Sequence, residues 1–294
     1  MISAATVGFL VPKAPWKGRL LGVYSRAISL LHADGFIVSL LPGHDSMECL
    51  GVGLDVRSFQ RLGAASESAL RAGHDRVEAE TAPGGELWRF AGEVVALRDA
   101  QTWDPRARLA SAAARIAGIG AEALDAARGE LARQFAAGRP SDGIHVDGPY
   151  SRRFRELLEA PEFPLVLVGF GPGTTPAGDD FIAGYLLARN CFYPEGYPAK
   201  TARSSLDLSR TTFAGRSLLT QALAGGFPEI YLRLAESVAG IELASAEGGG
   251  EDMRGPSVPR ARIAGAVSAM LAHGATSGAD ALAGYLFGWN DRRP

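Results

Sequence analysis

Trp103-Asp104-Pro105-Arg-Ala-Arg-Leu109-Ala-Ser-Ala-Ala113-Ala-Arg-Ile116-Ala-Gly118 is where the character of the chain changes. Asp104 suits an N-cap, Pro105 has the fixed φ and missing N–H that the first helical position tolerates, and Leu109, Ala113 and Ile116 recur at helical spacing. A helix is expected from here until Gly118 and Gly120 interrupt it. A second, from about Ala121, places Leu124, Ala127, Leu131 and Phe135 on one face and ends at Gly138-Arg139-Pro140.

Upstream of Asp104 the pattern reads mostly as strands. Leu20–Tyr24, Ala27–Leu31 and Phe36–Leu41 are apolar or alternating runs, and His32-Ala33-Asp34-Gly35 supplies the positive φ of a tight hairpin. Glu86–Phe90 and Glu93–Leu97 flank Ala91-Gly92 as a second hairpin, and Leu50–Val56 reads as an edge strand. Downstream, Arg153–Leu158 reads as a short helix, Pro164–Phe170 as a strand-length apolar run, and Phe181–Cys191 as an apolar helix. Pro228 can open a helix through Val238, and Ile263–Leu271 forms another. The expected class is α+β: an antiparallel β-rich domain over residues 1–104, then a mainly α-helical domain over residues 105–294. Pro194–Leu208 and residues 246–256, rich in Gly, Pro and charge, read as mobile linkers.

The chain has 294 residues, 47% of them hydrophobic and 21% charged, so a disordered, collagen-like or coiled-coil class is excluded. A net charge of -2 gives no electrostatic reason to expect nucleic acid or an anionic membrane as partner. The two cysteines, Cys49 and Cys191, stand in no zinc or disulfide pattern, which fits a reducing cytoplasm. The N-terminal stretch has no basic residue ahead of its apolar run, so a secretory signal is not expected, nor is any spanning segment.

The stretch richest in chemistry is Gly169-Phe-Gly171-Pro-Gly173-Thr174-Thr175-Pro-Ala-Gly178-Asp179-Asp180. A strand, a Gly-rich turn and a helix start together gather unpaired N–H groups around one concavity, which suits an anion. It is neither a P-loop nor a dinucleotide fingerprint, since no Lys follows and the third Gly is misplaced. Asp179 as a cap and Asp180 as a partner of the helix dipole is the plain account. The sharper one makes Asp180 a catalytic base, a Mg²⁺ ligand or the acceptor of a substrate N–H.

An internal echo favours the sharper account. Gly278-Ala279-Asp280-Ala-Leu-Ala-Gly284-Tyr-Leu follows Gly178-Asp179-Asp180-Phe-Ile-Ala-Gly184-Tyr-Leu at a spacing of 100 residues, with six of nine positions identical. Two helices meeting through these small residues would bring Asp180 and Asp280 to one site, together with Thr175, Thr276 and Ser277. His273, at the end of the preceding helix, is a minor acid–base candidate. His32, His44, His74 and His145 show no partner pattern and are expected to be solvated, and Thr211, Thr212 and Ser217 read as ordinary cap residues.

The two Thr-to-Asp loops, with the stretch from Thr211-Thr212 to Ser217-Leu218, resemble a bacterial family typified by the AllH subunit of oxamate carbamoyltransferase. The resemblance implies a part in anaerobic allantoin and purine nitrogen breakdown, in which a three-subunit enzyme moves a carbamoyl group between oxalurate or oxamate and phosphate or carbamoyl phosphate. It implies other subunits as partners and a small phosphate or carboxylate ligand. Ala177 stands where the family's string carries Ser. The site residues so expected are Asp180, Asp280 and His273 for catalysis, and Gly171, Gly173, Thr174, Thr175, Gly178, Asp179, Thr276, Ser277 and Gly278 for substrate. No cofactor is fixed by the resemblance, and Mg²⁺ is an alternative occupant of the Asp residues. A scaffold subunit and a stand-alone Mg²⁺-dependent enzyme are the rival classes.

Overall fold

The structure, a computed structural model, describes residues 1–43, 46–82, 85–193, 206–240 and 260–291. Its class is α+β, and the ten strands among the described residues all lie before residue 104. These are β1 (Ile2–Ser3), β2 (Thr6–Gly8), β3 (Trp16–Tyr24), β4 (Ala27–His32), β5 (Ile37–Pro42), β6 (Gly51–Leu54), β7 (Arg76–Ala82), β8 (Gly85–Phe90), β9 (Glu93–Ala96) and β10 (Gln101–Trp103). They form one sheet in the order β1-β9-β8-β7-β3-β4-β5-β6-β2-β10. The expected hairpins are present because their turns can hold left-handed backbone: Gly35 has φ 79°, and Ala91 and Gly92 have φ 52° and 71°. Alternate residues such as Ile28, Leu30, Val38 and Leu40 are buried together in the core of this sheet.

Three findings differ from the strand reading. The sheet is mixed, since β1 with β9, β5 with β6, and β2 with β10 run parallel. Leu50–Val56 is no edge, because β6 lies between β5 and β2 and its four residues are all buried. Nor is the segment strands throughout, because Val56–Arg71 forms the helix α1, begun by Asp55 accepting the Ser58 amide at 3.0 Å and burying Phe59 and Leu62 in the sheet's core.

The remaining helices among the described residues are α2 (Arg106–Ala117), α3 (Ala121–Gly138), α4 (Pro149–Leu158), α5 (Ala177–Phe192), α6 (Phe213–Leu223), α7 (Glu229–Ala239), α8 (Arg260–Leu271) and α9 (Ser277–Asn290). Pro164–Phe170 is not a strand. Leu165–Leu167 closes a 3₁₀ turn, the Leu167 amide bonding to the Pro164 carbonyl at 3.0 Å, and Gly169 at φ 73° then turns the chain. Apolar composition alone made it strand-like, but the turn satisfies its own backbone. Of the expected linkers, 246–256 and the part of Pro194–Leu208 up to residue 205 lie outside the described residues, whereas Leu206 is buried and Leu208 opens a 3₁₀ turn through Arg210, so the end of that stretch is structured.

The chain divides into two compact units, residues 1–105 with 216–229, and residues 106–215 with 230–294, so the division falls within α6. Arg216–Glu229, inside the stretch assigned by sequence to the helical domain, thus groups with the sheet. The Ser217 hydroxyl accepts the Ile37 amide at 2.6 Å, and Gln221 Oε1 accepts the Cys49 amide at 2.6 Å.

Candidate functional site

In the second unit, α5 and α9 meet through the glycines of the repeated motif. A Cβ on Gly184 would fall 1.9 Å from the Ala281 carbonyl oxygen, and one on Gly284 would fall 2.0 Å from that of Phe181. The two contacts are equivalents in the repeat. Further along, Gly288 lies against Ala188 and the Tyr185 carbonyl, Arg189 donates to the Asp291 carbonyl at 2.7 Å, and Tyr193 donates to that of Trp289 at 2.9 Å. Contacts advance in the same direction on both helices, so α5 and α9 run parallel with their first turns at one end. Gly178 and Gly278 anchor those turns against the Leu167 and Met270 carbonyls, leaving no room for a side chain.

Asp179 is not the cap expected of it, and neither Asp180 nor Asp280 is one, since Pro176 and Thr276 hold those positions. Both carboxylates are buried, 3% and 1% exposed. Asp280 Oδ1 lies 2.8 Å from His145 Nε2, while Asp180 accepts the Ser277 hydroxyl. In each, Oδ2 is buried without a partner, as is the Tyr150 hydroxyl. Burial first, then repulsion from Asp280 and Asp179, pushes the Asp180 carboxyl well above its ordinary range, against the Ser277 hydrogen bond. Burial, with Asp280 beside it, raises the Tyr150 phenol, and burial with both Asp180 and Asp280 raises that of Tyr231 on α7.

Asp179 has a different place. One oxygen accepts the Gly169 amide at 2.8 Å and the other accepts the Thr211 hydroxyl, so both are engaged in holding the loop. Burial raises its carboxyl, opposed by those two hydrogen bonds. Gly215 makes this possible, because a Cβ there would meet Asp179 Oδ2 at 2.1 Å. Thr212 donates to the Thr174 carbonyl and accepts the Gly215 amide at 3.0 Å, capping α6. Within the loop, Gly171 and Gly173 have φ 113° and 107°, and Gly173 and Thr174 are exposed while Thr175 is half-buried. The amides of Gly171, Gly173, Thr174 and Thr175 donate to no acceptor among the described residues. A Cβ on Gly171 would fall 2.3 Å from the Tyr150 hydroxyl and 3.1 Å from the Ala177 amide, which puts that hydroxyl beside the start of α5.

The repeat thus brings Asp180, Asp280 and Ser277 together. Thr276 is half-buried, with a Cβ on Gly143 3.8 Å from its methyl, and His273 is exposed on the turn before α9. The imidazole against Asp280 is that of His145, which corrects its reading as solvated: it is buried, with Phe135 edge-on to its ring at 5.7 Å. His32 is also buried, stacked on Phe36 at 4.4 Å, while His74 is exposed and His44 lies outside the described residues. Sequence reasoning missed His145, Tyr150 and Tyr231. Only Gly143 and Gly148 around His145, marking an irregular connection, hinted at the first.

A cavity of about 1080 Å³ lies elsewhere, in the first unit, between the C-terminal half of α1 and β7–β9, and none of these residues lines it. Among the described residues no three His, Cys, Asp or Glu side chains are placed to hold a metal ion, and no helix is long and apolar enough to cross a membrane.

An α+β chain whose two repeated helix starts share a buried carboxylate pair is the class these features define. Residues 167–248 match the family model described as oxamate carbamoyltransferase subunit AllH, which supports the family read from the loops. The matched stretch takes in the Gly169–Asp180 loop, Thr211-Thr212 and Ser217, and stops before the second copy of the motif. No curated protein and no solved structure matches the chain.

Proposed function

We propose that the protein is a component of a carbamoyltransferase-like enzyme of the oxamate carbamoyltransferase type, acting with other subunits. In this reading the loop from Gly171 to Gly178 holds a phosphate or carboxylate beside Asp180 and Asp280. The observation that carries it is the set of amides at Gly171, Gly173, Thr174 and Thr175 without acceptors, directly ahead of the α5 N-terminus. Successive free N–H groups at a helix start form a concavity of positive potential. Carbamoyl transfer to or from phosphate asks chiefly for positioning and for stabilisation of developing negative charge, which such amides supply with Thr175, Thr276 and Ser277 beside them. The carboxylates do not contradict an anion here. Burial favours the neutral form of Asp180, and both oxygens of Asp179 are engaged by donors.

The test is thermal unfolding of the full chain in phosphate or carbamoyl phosphate against chloride at equal ionic strength. A ligand at a hundred times its Kd adds about 2.7 kcal/mol to stability. The expected result is an upward shift in Tm that Gly173→Ala weakens, since φ 107° strains any side chain there. No shift at millimolar ligand counts against the reading.

A further inference from the structure

We propose that an anion enters the Gly171–Gly178 loop together with a proton and that Asp180 is the group that holds this proton, an inference that rests on the loop being the anion site. Two carboxyl groups lie buried at the adjoining starts of α5 and α9, and Oδ2 of each lacks a partner. No lysine or arginine among the described residues pairs with either one. Asp280 faces a ring nitrogen, His145 Nε2 at 2.8 Å, whereas Asp180 has one hydroxyl, that of Ser277. An ionised carboxylate removed from water needs several donors or a cation, while a carboxylic acid carries its own proton and needs fewer. The surroundings of Asp180 suit the acid.

The loop and this carboxyl are close. Asp180 stands three residues beyond Ala177, the first residue of α5, which is about 4.5 Å of helix rise. The Tyr150 hydroxyl spans the two ends, since it lies against Gly171 and the Ala177 amide and feels the charge of Asp280. With the loop empty, the positive end of α5 favours an ionised Asp180. An anion on the loop amides takes that potential for itself and adds a negative charge that salt screens little in a buried setting. Binding therefore draws a proton from solvent wherever Asp180 was ionised beforehand. The other titratable groups facing it are differently placed. Asp179 has both oxygens engaged, Tyr150 and Tyr231 are phenols held above their ordinary range and so already protonated, and His145 lies against Asp280. Helix α2, which also packs on α5, turns Leu109, Ala113 and Ile116 inward and leaves its arginines exposed.

Calorimetric titration of the full chain with sulfate, an anion that takes up no proton itself near neutrality, tests this when repeated from acid to alkaline pH in two buffers of different ionisation enthalpy. The expected result is an uptake approaching one proton per sulfate, with affinity falling by up to about tenfold per pH unit as Asp180 ionises. Asp180→Asn should bind sulfate with no uptake and with an affinity that pH leaves unchanged, and His145→Gln should keep the uptake. Ser277→Ala, which removes the donor to the ionised form, should move the fall in affinity to higher pH. Should Asp180→Asn fail to fold, infrared difference spectra of the wild type decide, because sulfate should bring up the band of a protonated carboxyl. Sulfate binding without uptake or without that band, uptake unchanged in Asp180→Asn, uptake lost in His145→Gln, or an unmoved profile in Ser277→Ala each overturns the proposal and leaves the anion reading standing. No sulfate binding at any pH overturns both.

Discussion

The starts of α5 and α9 have the same backbone packing and different polar surroundings. Gly178 and Gly278 each press on a carbonyl, and Gly184 and Gly284 each press on the other helix at equivalent positions. Asp180 has a hydroxyl and a second carboxylate, Asp179, beside it, whereas Asp280 has Ala279 in that place and an imidazole from a distant turn. The contrast separates two demands on one motif. Small residues set how closely the helices approach, since a Cβ on Gly184 or Gly284 would overlap the backbone of the other helix. The neighbours of each carboxylate decide what it can do, and there the two copies have diverged.

The largest expected effect breaks the shared part. Gly184→Val should cost about 4 kcal/mol or more, because the obstacle is the Ala281 backbone and not a side chain that could turn aside. Gly129→Ala, at an exposed helical position with nothing within 4 Å, should instead gain about 0.5 to 1 kcal/mol. Urea unfolding of both variants measures the difference, and equal midpoints would refute the packing.

A second effect sharpens the divergent part. His145→Ala leaves Asp280 buried without its partner and should cost about 3 kcal/mol, while Ser277→Ala removes one hydrogen bond from Asp180 and should cost about 1 kcal/mol. A double-mutant cycle between His145 and Asp280 gives the coupling directly. A cost from Ser277→Ala as large as that from His145→Ala would erase the asymmetry.

A third effect lies in the pH dependence. Asp180 has a folded pKa above the unfolded value near 3.8, so the folded state holds more protons in the window above that value. Stability should therefore fall as the pH rises from about 3.8 through the folded pKa, and Asp180→Asn should flatten that fall. Unfolding curves of both proteins between acid and neutral pH decide it. Parallel profiles would mean that Asp180 ionises freely.

What could be read in the sequence was what the backbone demands locally. Asp34-Gly35 and Ala91-Gly92 announce turns because few residues hold positive φ, and the repeat announces a helix pair because glycine at a crossing cannot be replaced. Helix α1 was hidden by its polar face, with only Phe59 and Leu62 as large core residues, and β7 by alternating Arg76, Glu78 and Glu80 with small partners. The parallel strand pairs and the bond from His145 to Asp280 depend on contacts between distant segments. No local spacing encodes them. For the same reason Asp180 and Asp280 were legible as a pair, while the groups around them were not.

That Arg216–Glu229 groups with the sheet has a consequence for how the chain comes into being. On the ribosome, the first 105 residues emerge without Ser217 and Gln221, which later accept the amides of Ile37, Cys49 and Leu50. At synthesis rates of about 5 to 20 residues per second, the nascent sheet waits on the order of ten seconds for the segment that completes it. During that interval the amides that Ser217 and Gln221 later accept are open to chaperones or to wrong partners. A severed N-terminal fragment would stay in that unfinished condition permanently.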